Sequence, residues 1–173
     1  DRIYPEDKTE YVYWSRKAAT ILCAGYFKYD YFRRFLYHKI NQDYTLEKIL
    51  SSMQLTDMLE GFCRDYSYGK DTKLTETVAD QCKEYLQKYW DGVLEHYEKS
   101  SQAGKKYFKK ILMDCRNVLA VDIGWAGSGA IALDYLVNHV WNLGCKVTGM
   151  LAGTNTCHNA EPDASESFLQ EGS

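Results

Sequence analysis

The sequence predicts an α/β chain that is mostly α: an N-terminal helical domain followed by a βαβ Rossmann-like unit. Three observations predict it. Apolar residues recur three and four apart over most of residues 11–115. A short run rich in β-branched residues and bounded by glycine follows at 117–124, and a second apolar run follows one further helical stretch, at 145–151. The expected division is a helical cap or spacer domain at 1–116, a βαβ unit with a glycine-rich loop at 117–152, and an acidic loop or disordered tail at 153–173. With 173 residues, 45% of them hydrophobic and 14% aromatic, the chain has the material for a core and is not disordered throughout.

Residues 1–10 are polar and read as an irregular lead-in. Tyr11, Trp14, Ala18, Ile21 and Leu22 form one helical face, with Gly25 as the stop. A second stripe, Phe32, Phe35, Leu36 and Ile40, spans 31–40. Thr45 reads as the N-cap of a helix carrying Leu46, Ile49, Leu50 and Met53, with Tyr44 and Ile49 placed as a hydrophobic staple. Thr56 reads as the cap of a short helix with Leu59 and Phe62, and 65–73 reads as a loop. From about 76 to 99, Val78, Cys82, Tyr85, Leu86, Tyr89, Val93, Leu94 and Tyr97 make the clearest stripe of period 3.6. A break is expected at Ser100–Gly104, then a helix to Cys115. Asn117–Gly124 reads as a buried strand, Trp125–Gly129 as a tight loop and Ala130–Trp141 as a helix. Asn142 and Gly144 end that helix, and Cys145–Leu151 reads as the second strand.

The chain carries 21 basic and 24 acidic residues, a formal charge of −3. The acidity is local: Glu161, Asp163, Glu166 and Glu171 stand in a tail without a basic residue, while residues 1–160 hold 21 basic and 20 acidic groups. Residues 99–116 are strongly basic and read as a solvated helix face. With no overall basic surplus, nucleic-acid binding is not expected. No apolar run reaches the ~18–20 residues that span a bilayer, and no basic-then-apolar leader is read, so a cytoplasmic chain without a membrane span is expected. The six cysteines contain no CxxC pair and no metal-ligand spacing, and read as buried, reduced thiols.

The segment Asp122-Ile-Gly-Trp-Ala-Gly-Ser-Gly129 carries the chemistry. Glycine lets the backbone turn sharply and approach a ligand without a Cβ in the way. A helix starting near Ser128 offers unpaired N–H groups and the positive end of its dipole to an anion. The amides of Gly127, Ser128 and Gly129, with Gly124 and Trp125, are therefore the candidate ligand-binding set, Trp125 stacking on or gating the ligand. Asp122, at the carboxyl end of the strand, is the candidate catalytic residue, suited to binding a metal, accepting a hydroxyl or acting as a base.

Known templates fit this loop unevenly. Gly127-x-Gly129-x-x-Ala132 matches the dinucleotide fingerprint, but no acidic residue follows the second strand to take a ribose hydroxyl. Val121-Asp-Ile-Gly followed by Gly-Ser-Gly resembles the first motif of S-adenosylmethionine-dependent methyltransferases, with one residue inserted. No Gly-Lys-Ser/Thr follows, which excludes a P-loop, and Ser128 stands too far past the strand for a nucleophile elbow. The loop resembles the phosphate loop of actin-like ATPases only in outline.

Two stretches taken together, Tyr11-Val-Tyr-Trp-Ser-Arg16 and Val121-Asp-Ile-Gly-Trp-Ala-Gly-Ser128, resemble a region of large bacterial proteins of capsule and lipopolysaccharide synthesis. Those proteins carry a haloacid-dehalogenase-like hydrolase region ahead of this part and are often joined to glycosyltransferase domains. The resemblance implies a ligand-binding segment of a surface-polysaccharide enzyme. Its partners would be a nucleotide-sugar or other phosphorylated small molecule and the other domains of the parent protein. In that reading Ser15 and Arg16 are candidates to reach the same ligand, a surface ion pair being the more frequent role for Arg16. The hydrolase's Asp-x-Asp-x-Thr motif is absent, so phosphatase activity does not carry over. Two other readings stay open: a non-catalytic helical interaction module whose glycine turn is structural, and a methyltransferase fragment. No cofactor is assigned.

Overall fold

The computed structural model describes residues 9–125 and 127–154. They are mostly helical, with one two-stranded parallel sheet. The chain divides into two compact units, Thr20–Ser101 and Asp1–Ala19 together with Gln102–Ser173.

α1 (Arg16–Leu22) enters the first unit at Thr20 and is followed there by α2 (Lys28–Phe35), α3 (Leu46–Ser52), α4 (Leu59–Tyr66) and α5 (Glu76–Lys88), and α6 (Trp90–Ile111) begins there. Two threonines cap helices, of which the sequence reading names only Thr45. Thr45 accepts a hydrogen bond from Lys48 N at the start of α3, and Thr75 accepts one from Val78 N at the start of α5. Thr56 is no cap: it opens a 3-10 turn, Thr56–Met58, that leads into α4. The core runs from Ile21 to Tyr97 and is rich in aromatic rings. Trp90 meets Tyr31 and Phe32 at ring-centroid distances of 5.3 Å each. The two buried tyrosines form a relay, Tyr31 Oη lying 2.6 Å from Tyr97 Oη, which donates to Met53 O at 2.6 Å. Deep phenols of this kind are tolerated because each hydroxyl finds a partner.

Two helix boundaries differ from the sequence reading. The expected helix at 76–99 breaks at Tyr89, whose backbone (φ −109°, ψ 27°) leaves the helical region. The expected break at Ser100–Gly104 is absent, and α6 runs through it. Gly104 costs a helix only ~1 kcal/mol, less than its neighbours' hydrogen bonding contributes. Near the start, helix begins at Arg16 rather than Tyr11, so the Tyr11–Trp14 stripe is not helical. Ser15 caps α1 instead, its Oγ accepting from Ala18 N at 3.1 Å.

In the second unit β1 (Asn117–Trp125) and β2 (Lys146–Thr154) pair in parallel, with Asn117 opposite Lys146 and Asp122 opposite Leu151. Between them in the chain come α7 (Ser128–Tyr135) and a π turn, Leu136–Val140. Asn142 (φ 52°) and Gly144 (φ 66°) then reverse the chain, as expected from their residue types. Asp134 on α7 ties this return down: its Oδ1 accepts from Val147 N at 3.3 Å and from Asn138 Nδ2 at 2.8 Å. The expectation of a buried strand at 117–124 is corrected in part. Asp122 is half-buried, whereas Leu119 and Val121, on the opposite face, are exposed. A continuous apolar run signals burial on both faces, and only one face is covered within the described residues. The second strand also extends past Leu151 to Thr154, into the start of the expected tail; that tail otherwise lies outside the described residues.

Cys23, Cys82 and Cys145 are buried and Cys63 and Cys115 partly so, all five as free thiols. Cys157 lies outside the described residues. Among the described residues no helix is long and apolar enough to cross a membrane.

Candidate functional site

The geometry at the junction of β1 and α7 begins with Gly127. It adopts the left-handed region (φ 70°), and a Cβ there would meet Leu151 Cδ1 at 3.4 Å. The positive φ favours glycine, whereas the Leu151 contact is an ordinary one. Its carbonyl accepts hydrogen bonds from Ala130 N (3.0 Å) and Ile131 N (3.2 Å), closing the first turn of α7. Among the described residues, nothing accepts from the amides of Ser128 and Gly129. Two donors at the positive end of the helix are therefore without an acceptor among the described residues.

Asp122 stands at this end. A Cβ on Gly129 would lie 3.1 Å from Asp122 Oδ2 and 3.6 Å from Trp14 Nε1. The carboxylate thus reaches the amino end of α7 from β1, as an oxygen-rich wall beside two N–H donors. Trp14 closes the other side, its indole Nε1 donating to Gly129 O at 2.9 Å. That indole is held edge-on to Phe108 at 5.6 Å, and Phe108 in turn stacks on buried Trp141 at 5.5 Å. Backbone N of Tyr13, next along, donates to Tyr107 Oη at 3.0 Å.

Of the residues expected to form the site, the structure therefore brings together Asp122, Gly127, Ser128 and Gly129. Gly124 lies in β1 opposite Gly153 and contributes backbone to the ladder. The backbone of Trp125 closes β1 opposite Thr154; its side chain, expected to stack or gate, lies outside the described residues, as does Ala126. Ser15 caps α1, as above. Trp14 and Asp134 were missed by the sequence reading. Trp14 was assigned to a helical stripe, and its contact with Gly129 spans 115 positions of chain, which no periodicity reports. Asp134 looks like any helix-surface acid until the strand it anchors is in place.

The arrangement can bind a group that presents hydroxyls to Asp122 and an oxygen acceptor to the Ser128 and Gly129 amides. Among the described residues no group of three or more His, Cys, Asp or Glu is placed to hold a metal ion. Comparison with family models, curated proteins and solved structures finds no match to this chain.

Proposed function

We propose that this chain is a ligand-binding segment of a larger bacterial surface-polysaccharide biosynthesis enzyme, glycosyltransferase- or hydrolase-associated. In this reading β1, α7 and β2 act as a Rossmann-like βαβ unit whose glycine loop holds a nucleotide-sugar or sugar phosphate, and the helical unit serves as cap or spacer. The observation that carries the reading is the carboxylate of Asp122 standing beside the open amides of Ser128 and Gly129.

Magnitudes narrow the ligand. An anion at a helix amino end gains ~0.3–1 kcal/mol, up to ~2 when partly buried. A unit negative charge about 4 Å from Asp122 would lose ~4 kcal/mol at an effective dielectric of about 20. Bare phosphate in contact with Asp122 is therefore disfavoured. A sugar fits better: a hydroxyl donates to Asp122, and a phosphate oxygen one group further on takes the amides. Asp122 then orients the sugar and is the group placed to take a proton from that hydroxyl.

Thermal unfolding with UDP-glucose, inorganic phosphate and S-adenosylmethionine, each added alone, tests this. A ligand at 100 times its dissociation constant stabilises by about 2.7 kcal/mol. The expected result is a shift with UDP-glucose that is lost in Asp122→Asn. No shift with UDP-glucose, or an unchanged shift in Asp122→Asn, overturns the proposal. A shift with S-adenosylmethionine alone would favour the methyltransferase reading. One observation favours a purely structural turn: Asp122 and Trp14 between them fill the space a Gly129 side chain would need. That reading predicts no ligand shift at all, with Gly129→Ala lowering stability.

A further inference from the structure

Tyr11 and Tyr13 are the most exposed large apolar side chains among the described residues, at 80% and 81%. They lie two apart on the non-helical stretch before α1, and their rings meet edge-on, 5.4 Å between centroids and 86° between planes. The backbone beneath them is fixed. Tyr13 N donates to Tyr107 Oη on α6, and Trp14 N donates to Val12 O at 3.1 Å. The Trp14 indole is held by Gly129 O and Phe108. Rings kept in water on a fixed backbone offer contact area at little entropic cost, which is how tyrosine serves at recognition surfaces.

The part of α6 that meets Tyr13 is basic. Lys110 follows Tyr107 by three positions and Lys106 precedes Lys110 by four, so the three share one side of the helix. Lys106, Lys109 and Lys110 are exposed and Lys105 is half-buried. Among the described residues none of the four is in an ion pair. Lys105 with Lys109, and Lys106 with Lys110, set like charges one turn apart, which disfavours a helix. The negative end of the helix accounts for Lys109 and Lys110 in its last turn but not for Lys105 and Lys106 a turn earlier. No acid lies between Glu98 and Asp114, and Glu10 is the one acid of 9–19. A bound anion would relieve this repulsion.

We propose that Tyr11, Tyr13 and Tyr107, with Lys106 and Lys110, bind a saccharide carrying carboxylate groups. The geometry selects a sugar over a nucleic acid. Successive bases stack on parallel aromatic faces, whereas these two rings stand at right angles. A pyranose presents a C–H face to one ring, its rim to the other and hydroxyls to the phenol oxygens, while its carboxylate reaches the lysines. Such a ligand would be repelled by Asp122. The surface is therefore additional to the glycine loop, and its assignment does not rest on the reading of that loop.

Calorimetric titration of the whole chain with a hexamer of galacturonic acid tests this. Two further probes accompany it: the same hexamer with its carboxylates methyl-esterified, and a short oligo-dT. The uronate hexamer should bind, about tenfold or more tighter than its ester, and should bind more weakly as salt is raised. Tyr11→Ala/Tyr13→Ala should lose about tenfold or more in affinity, and Lys106→Gln/Lys110→Gln a similar factor. All four side chains are exposed, so helical circular dichroism should be unchanged in both variants. No binding of the uronate hexamer, equal binding of its ester, or affinity undiminished in Tyr11→Ala/Tyr13→Ala overturns the proposal. Tighter binding of oligo-dT than of the uronate overturns it too, and marks the surface as one for nucleic acid.

Discussion

The two units handle their polar and apolar groups in opposite ways. In Thr20–Ser101 the aromatic core is closed: Tyr31, Tyr97 and Met53 O form a completed chain of hydrogen bonds, and large residues such as Phe62, Leu86 and Leu46 are fully buried. In the strand-bearing unit, among the described residues, Leu119, Val121 and Met150 of one sheet face are exposed, the amides of Ser128 and Gly129 have no acceptor, and on the other face the Asp122 carboxylate stands near Gly129. Interior satisfaction is what a scaffold needs, whereas open donors, an acceptor and bare apolar area are what a binding element offers. The difference teaches where to look for a ligand: in the strand-bearing, less finished unit.

The largest effect should come from alkali, acting on the closed unit. Burial pushes the Cys23 and Cys82 thiols up to about 12 from an ordinary 9.0. It also raises Tyr31 and Tyr97, desolvation being the main cause in each. Groups whose folded value is raised add stability that is whole below their unfolded value and is lost as pH climbs toward the folded one. Stability of the helical unit should therefore be level to about pH 9 and fall steeply between about pH 9 and about 12. Tyrosinate absorbance followed beside helical circular dichroism checks this. The buried tyrosines should ionise only as helicity is lost, and ionisation ahead of unfolding would break the contrast between a sealed and an open unit.

Next in size are the tight glycines, one in each unit. A Cβ on Gly61 would lie 2.3 Å from Tyr85 Oη. The Tyr85 ring cannot swing freely, because it is wedged against Phe62 at 5.4 Å and Tyr89 at 4.9 Å. Gly61→Ala should cost ~1–3 kcal/mol in urea unfolding, as overpacking does. Gly92, which has nothing within 4 Å of its added Cβ, is the control, and its alanine variant should gain ~0.5–1 kcal/mol from helix propensity. In the other unit Gly149→Ala sets two methyl groups in conflict at 2.8 Å. The sheet has only two strands and can yield, so the stability loss should be smaller than for Gly61→Ala. Its consequence should appear instead at the amino end of α7, as weaker binding of UDP-glucose.

The parts of this architecture that are local were legible in the sequence. Thr45 and Asn142–Gly144 act where their residue types say they should, and both strands lie where the β-branched runs stand. The glycine segment was found because its chemistry is contiguous: Asp122 and Gly129 are seven positions apart. What was not legible depends on distant pairings. Helix breaks at Tyr89 rather than after Ser100, where Trp90 turns into the aromatic core against Tyr31 and Phe32, nearly sixty positions away. Tyr11 to Trp14 carry a helical spacing yet lie outside helix, because Trp14 is drawn to Phe108 and Gly129. The apolar run at 118–121 gave no sign that one of its faces would stand open.

Trp14 offers the smallest and most discriminating test. Its indole contributes two separable things: a ring against Phe108 and one hydrogen bond to Gly129 O at 2.9 Å. Trp14→Phe keeps an aromatic ring and removes the donor, which should cost about 0.5–1.5 kcal/mol, the net worth of one such bond. If Trp14 only plugs the unit, unfolding is slightly easier and ligand affinity is unchanged. If it fixes the first turn of α7 against Asp122, the affinity for UDP-glucose should fall several-fold with little further loss of stability, because the two open amides lose their fixed direction relative to the carboxylate. The affinity, measured by calorimetry on the folded variant, therefore separates a structural strap from a positioning residue, and with it decides whether the open unit is unfinished or is arranged for a ligand.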